Sequence, residues 1–444
     1  MSGRLKTHGI DENKAGEAVE RWLRNPFYRM LCSNAGFSSP EQLLYAIDQG
    51  DIVRVPVVLD LETKIRLIEM GPVKGQKTRI GGIPRELTEG LIDDYKGDVI
   101  VDLSSATSGN PDLIARTPEE IEQETRNYGD SFVRASMSNG ASMSKFDLII
   151  ILFPSRRSLE RGAREVEEEL EKSGFLNYLQ RTGGTITVRR QTLSGIEAAE
   201  GLGYIENGLR FSLPLTILNN TILKPWKHGA PAVYPDVGKI VDLLEAYRNG
   251  QVMLGASPIF AYLLALELYE RGLQYSNVYV HGGGGGYDGK KGAIVIPDGI
   301  NQRKYAELMK SVFGRYPTET YGYSGQNHVI VLRWDPEREW YDVDARRERI
   351  GAYTARLPDD VCGNDVLVYA VDPLTNELVK KGAGVLRALN FSDGRIHLHG
   401  SMQPSDRVYV ADAYDTGMPR VIYGIGRLPP EIQGISGRDV KPGC

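Results

Sequence analysis

An α/β core with a β-rich final third is the fold that this 444-residue sequence predicts. Strand-like and helix-like segments alternate through the first two-thirds of the chain, the pattern of a sheet flanked by helices. From about residue 329, short alternating segments follow one another with turns between them, the pattern of antiparallel strands. Glycine supplies a third observation: 50 residues, about 11% against a usual ~7%, much of it clustered where the backbone must turn or approach a ligand.

AGEAVERWLRNPFYRMLC reads as helix, with Val19, Trp22, Leu23, Phe27 and Met30 on one stripe packed on the body. Residues 51–63 read as a strand turning helical, and 97–113 as an alternating strand running into a Ser/Thr/Gly loop. A helix starts after Thr117, with Thr117 as N-cap, Pro118 in the first turn, and Glu119 and Glu120 against the positive helix end. FDLIIILFP (146–154) is a buried strand, 158–174 a charged helix, and TGGTITVRRQTL a strand again. Helices are expected at 236–250, 257–272 and 301–317, with the strand SNVYVHGG before the last. HVIVLRWD, DVLVYAVDP, GVLRALNFSD, RIHLHGS, DRVYVADAYD and RVIYGIG make the β-rich end. The organisation expected is a helical and mixed segment over 1–95, an α/β core over 96–330, a β-rich subdomain over 331–438 and a stub over 439–444.

Composition excludes several classes. With 41% apolar and 25% charged residues the chain is ordinarily globular. A net charge of −5 gives no bulk attraction for nucleic acid or anionic lipid. Apolar runs such as 148–153 are far below the ~18 residues of a membrane span, and no secretory h-region opens the chain. Cys32, Cys362 and Cys444 are too few and scattered for a disulfide framework, and His397-Leu398-His399 lacks ligands to complete a zinc site. A cytoplasmic protein with no nucleic-acid or membrane partner is expected.

Three loops carry the chemistry. Ser104-Ser105-Ala106-Thr107-Ser108-Gly109-Asn110-Pro111 follows a strand and gathers hydroxyls with backbone N–H groups, a set suited to phosphate oxygens. It lacks the GxxxxGK[ST] pattern of a P-loop. The run His281-Gly282-Gly283-Gly284-Gly285-Gly286 after an apolar strand leaves room for a flat ligand against the backbone. Gly284, Gly286 and Gly289 formally match G-x-G-x-x-G, but strand-like KKGAIVIP follows where a dinucleotide fold needs a helix. The third loop is Tyr321-Gly322-Tyr323-Ser324-Gly325-Gln326-Asn327-His328. With His281 and its glycines it also suggests a serine hydrolase, although Gln326 replaces the last glycine of the elbow and the strand–helix order is reversed.

In this order the loops resemble the large N-terminal domain of the adenylate-forming (acyl-AMP) superfamily. The nearest branch is the acyl-protein synthetases of bacterial bioluminescence, with phenylacetate–CoA ligases and phenazine-pathway adenylating enzymes as relatives. The phosphate loop S-G-T-T-G-x-P is matched by Ser105-Ala106-Thr107-Ser108-Gly109-Asn110-Pro111, the adenine loop by the His281 glycine run, and Y-G-x-T-E by Tyr321-Gly322-Tyr323-Ser324 with Gly325 for the acidic residue. Asp412, or less well Asp415, matches the ribose-binding Asp, and Gly437-Arg438 the hinge signal. The resemblance covers roughly residues 95 to 444. It implies an α/β domain of mixed sheets flanked by helices, with a β-rich C-terminal portion and no small C-terminal lid domain.

The implied activity is activation of a carboxylic acid by ATP, giving an acyl-adenylate and pyrophosphate, with the acyl group passed to a thiol or amine acceptor such as coenzyme A or a carrier protein. In the implied roles, Ser105, Thr107, Ser108 and the Gly109 N–H cradle the β/γ-phosphates, and Gly283, Gly284 and Gly285 flank the adenine behind His281. Tyr321, followed by Gly322, stacks on the adenine, Ser324 reaches the α-phosphate and Asp412 takes the ribose hydroxyls. Arg438 adds positive charge, and Gln326 is the nearest polar substitute for the missing Mg2+ ligand. Gly443-Cys444 matches the pair through which an acyl-protein synthetase would take the acyl group onto its own thiol. The acid pocket is expected between the glycine loop and segments 203–223 and 251–263, with Phe211, Leu213, Leu215 and Phe260, which suits an aromatic or medium-chain acid. The alternatives are a homologue that holds ATP or acyl-AMP without turnover, and the serine hydrolase.

Overall fold

A computed structural model describes residues 3–24, 26–59, 97–103, 113–142, 145–172, 183–212, 217–218, 221–222, 232–287, 290–291, 294–295, 299–322, 328–341, 347–363, 365–392, 401–403 and 406–427. The N-terminal helical run is divided at Pro26, which has no N–H to continue a helix and disfavours helical backbone before it. Helix α1 (Glu12–Arg24) buries Val19 and Trp22, but Met30, in the next helix, is 47% exposed, so the single stripe expected through it does not form. The Phe27 side chain lies outside the described residues. Trp22 stacks on Phe391 at 5.3 Å, and Lys14 pairs with Asp365. The N-terminal helices therefore pack on the last third of the chain.

Strands β1 (Gly97–Leu103) and β2 (Leu113–Arg116) pair antiparallel, Leu103 opposite Leu113. Helix α2 (Pro118–Ser138) opens as the sequence requires: the Thr117 side chain accepts from the Glu120 N–H, and the Glu120 carboxylate accepts from the Thr117 N–H at 2.8 Å. Then follow β3 (Phe146–Leu152), α3 (Arg156–Lys172), β4 (Gly183–Arg190), α4 (Thr192–Glu200) and β5 (Gly203–Asn207). Strand β4 runs parallel to β1 and makes a small sheet with it and β2.

The main sheet continues through α5 (Val237–Ala246), β6 (Val252–Ala256), α6 (Pro258–Glu270), β7 (Val278–Gly283), α7 (Gln302–Phe313) and β8 (Thr318–Tyr321). Strands β5, β3, β6, β7 and β8 lie side by side and parallel. Strand β6 was not foreseen. Its five residues, all buried, stand between two helices that the sequence reads as consecutive. Helix α6 is apolar nearly all round because nine of its thirteen residues are buried under this sheet. Helices α5, α6 and α7 share one core with it.

From β9 (Val329–Asp335) the direction alternates. The strand runs antiparallel to β8 and is followed in the sheet by β10 (Ala352–Arg356), with β11 (Val366–Val371), β12 (Gly382–Asn390), β13 (Asp406–Ala413) and β14 (Pro419–Arg427) beyond it. Among the described residues one fourteen-stranded sheet thus joins the α/β core to the β-rich portion, and residue 330 falls inside a strand of it. The architecture is mixed α/β. Among the described residues no helix is long and apolar enough to cross a membrane.

Candidate active site

Ligands in open α/β sheets bind beyond the C-terminal strand ends, and here the ends of β7 and β8 carry two of the three loops singled out. After Gly283 the chain needs three successive left-handed residues: Gly284, Gly285 and Gly286 have φ of 75°, 67° and 106°. Any side chain there is strained, which accounts for the unbroken glycine run.

Strand alternation sends neighbours to opposite faces. His281 faces α2: its Nδ1 lies 2.9 Å from the Thr318 hydroxyl, its Nε2 bonds the Thr320 hydroxyl, and the Phe132 ring meets it edge-on at 5.1 Å. Burial pushes the imidazole down to about 3, so it is neutral, with one nitrogen donating and the other accepting. Expected as part of the adenine loop, His281 instead spends both nitrogens holding β7 to β8. It has none left for a ligand.

The opposite face carries Glu319. The Tyr287 hydroxyl donates to its carboxylate, and the Tyr287 and Tyr353 hydroxyls are 2.9 Å apart. Tyr305 packs against Tyr287 at 5.7 Å, and Trp334 against Tyr353 at 5.2 Å. The carboxyl keeps some accessible surface yet lies deep among these rings, and this burial pushes it up to about 7 against the opposing hydrogen bond from Tyr287. No ion pair reaches it among the described residues.

Two residues on from Glu319, and on its face of the strand, Tyr321 donates to Asp406 Oδ2 at 2.6 Å. The β-rich portion thereby supplies a carboxylate at the end of the parallel sheet. Asp412, expected to serve with Tyr321, lies six residues further along the same strand, about 20 Å away at the usual rise. It is exposed and 3.4 Å from Arg420, in an open groove of about 410 Å³ that it shares with Asp415, Lys380 and Lys381. The structure does not bring Asp412 to Tyr321. Asp406 occupies that place, and the sequence reading passed over it; its position at the start of a strand, after the turn-like Gln403-Pro404-Ser405, is the signal available.

A second polar cluster involves the strands on either side of the hydroxyl loop in sequence. Arg116 is fully buried, with Glu124 at 3.2 Å and Asp102 at 3.5 Å. Arg189 reaches Asp102 at 3.9 Å and Glu197 at 3.1 Å, while the Ser194 hydroxyl donates to Glu124 at 2.8 Å. Burial pushes the Asp102 carboxyl up to about 7 against the pull of Arg116. Asp102 and Arg116 sit on the two strands that flank the loop.

Of the other sequence candidates, Gly283 ends β7 and Gly322 is exposed just beyond β8. Ser105, Thr107, Ser108, Gly109, Ser324, Gln326, Arg438 and Cys444 lie outside the described residues, as do His397 and His399. Among the described residues no three His, Cys, Asp or Glu side chains form a group that would hold a metal.

No family model matches the chain, and no curated protein does. Solved structures do. The amide bond synthetase McbA from Marinactinospora thermotolerans is 14% identical over 87% of this chain and 58% of its own, with a TM-score of 0.35. The anthranilate CoA ligase AuaEII in complex with anthranoyl-AMP is 13% identical over 73% and 46%, also at 0.35. The adenylation domain of a keto acid-selecting NRPS module bound to keto acyl adenylate is 12% identical over 74% and 52%, again at 0.35. Two of these three hold an acyl-adenylate. This chain spans about half the length of the proteins it matches. At such TM-scores the likeness carries no weight for chemistry, which rests on the chain's own residues.

Proposed function

We propose that the protein activates a carboxylic acid with ATP. An oxygen of the acid bonds to the α-phosphorus as the bond from that phosphorus to the bridging oxygen of pyrophosphate breaks, leaving acyl-AMP and pyrophosphate. The observation that carries the reading is the Tyr321–Asp406 pair, 2.6 Å apart, beside the left-handed glycine turn. Bare backbone at Gly283 to Gly286 suits a flat base, the Tyr321 ring offers a stacking face, and the Asp406 carboxylate suits ribose hydroxyls. Asp406 here takes the role that the resemblance implied for Asp412.

The hydroxyl loop of Ser105, Thr107, Ser108 and Gly109 would hold the phosphates, because donors positioned on phosphate oxygens stabilise the charge that builds there. Mg2+ would ordinarily share that charge, although among the described residues no three His, Cys, Asp or Glu side chains gather to hold it. The acyl group then passes to a thiol or amine, with coenzyme A, a carrier protein or Cys444 itself as acceptor.

The test is ATP–pyrophosphate exchange against fatty, benzoic, phenylacetic and phenazine-type acids. Exchange with one class is expected, falling about tenfold or more in Asp406→Ala and remaining within twofold in Asp412→Ala. Equal losses in both variants, or no exchange with any acid, would remove the reading. If exchange is found, Cys444→Ala decides the acceptor: loss of a hydroxylamine-labile thioester with exchange intact assigns it to this thiol.

A further inference from the structure

We propose that Glu319 and Tyr287 are positioning residues that clamp both ends of the glycine turn; this rests on the turn being the nucleotide-binding loop proposed above. The turn has two attachments. At its start, Gly282 and Gly283 are held in the sheet opposite Glu319 and Thr320. At its end, Tyr287 carries the hydroxyl bonded to Glu319, and its carbonyl accepts from the Ile300 N–H at 2.7 Å. Between them stand three residues without side chains, all left-handed.

One carboxyl serves both attachments. A Cβ at Gly282 would come within 3.3 Å of Glu319 Cγ and Oε1, so the missing side chain is what lets the Glu319 stem lie across the start of the turn. Its oxygen then takes the Tyr287 hydroxyl at the finish. Glu319 is also two residues before Tyr321, so the strand that fixes the clamp fixes the stacking ring. The groups facing the carboxyl are Tyr287, Tyr305 and Tyr353, with the Trp334 ring behind them, and all are neutral. Carbon and phenol hold the clamp, with no opposing charge. The glutamine variant therefore keeps the acceptor and the fit; phenylalanine at 287 keeps the ring but removes the hydroxyl that meets Glu319 and Tyr353, and alanine at 319 removes the acceptor together with the stem across the turn.

The experiment compares the full chain with Tyr287→Phe, Glu319→Ala and Glu319→Gln. Deuterium uptake of the peptide spanning 282–287 is measured without nucleotide, and the Kd of ATP alone by calorimetry. Uptake about tenfold faster and ATP about tenfold weaker are expected in Tyr287→Phe, and at least as much in Glu319→Ala, since both lose the hydrogen bond that closes the clamp. Glu319→Gln is expected within about threefold of the parent on both. Unchanged uptake in Tyr287→Phe overturns the clamp, and so does faster uptake with unchanged ATP affinity. If uptake changes as expected but the parent protein binds no ATP, the clamp stands and the nucleotide reading falls. Should Glu319→Ala fail to fold, Tyr287→Phe, which keeps the ring, decides alone.

Discussion

Asp102 and Glu319 each stand in a strand behind a loop that the sequence singles out, and burial pushes both carboxyls up to about 7. Their neighbours differ in kind. Beside Asp102 are Arg116 and Arg189, with Glu124 and Glu197 sharing the same guanidiniums. Beside Glu319 are phenols alone. The first arrangement does not tolerate loss of a guanidinium, because removing Arg116 leaves Asp102 and Glu124 buried beside each other. The second loses one hydrogen bond at a time. The strands behind the hydroxyl loop are therefore fixed framework, while the glycine turn is held by a contact weak enough to be adjusted.

The comparison breaks first at Arg116. Arg116→Met strands Asp102 and Glu124 in the interior, and a loss of ~3–5 kcal/mol is expected in urea unfolding. A loss below about 1 kcal/mol would mean that the network is not framework at all. The next effect is set by pH. The Glu319 carboxyl is raised in the folded protein, so between about pH 4.5 and 7 the native state holds a proton that the unfolded chain has released. Its contribution is complete below the unfolded pKa and is lost as the pH rises through about 7. Relative to Glu319→Gln, the parent should lose about 1–3 kcal/mol across that window, a range reduced for the accessible surface the carboxyl keeps. A flat difference between the two proteins would mean that Glu319 is ionised throughout that window. The smallest effect is Tyr287→Phe, with about 1 kcal/mol of global stability lost and the larger change confined to the turn. A global loss as large as that of Arg116→Met would place Tyr287 in the framework too.

The capping box at Thr117, the buried strand at 146–152 and the apolar helix at 258–270 were legible because each rests on local chemistry or an unbroken apolar run. Val252–Ala256 was not, since five apolar residues between two helices fit either period. The glycine turn was legible as a loop that needs glycine, but nothing in the string says that His281 points away from it. That depends on the pairing of β7 with β8, which sets Thr318 opposite His281. Glu319 was passed over for the same reason: TETY stands between the helix expected at 301–317 and the loop at Tyr321, and nothing marks it until Gly282 is laid beside it. Asp412 and Asp415 were the carboxylates considered from the sequence, and only the hydrogen bond to Tyr321 singles out Asp406.

Trp22 stacks on Phe391, and the two are joined by most of the chain. On a ribosome adding ~5–20 residues per second, roughly 20–70 s separate the synthesis of the first from that of the second. Through that interval the apolar cluster around helix α1, with Ala15, Val19 and Trp22, has its N-terminal members, but one face of it lacks the cover of Leu367, Tyr369, Leu389 and Phe391. The earliest part of this protein to be made is thus among the last to be finished, and a nascent chain halted before Phe391 should present that face to holdase chaperones.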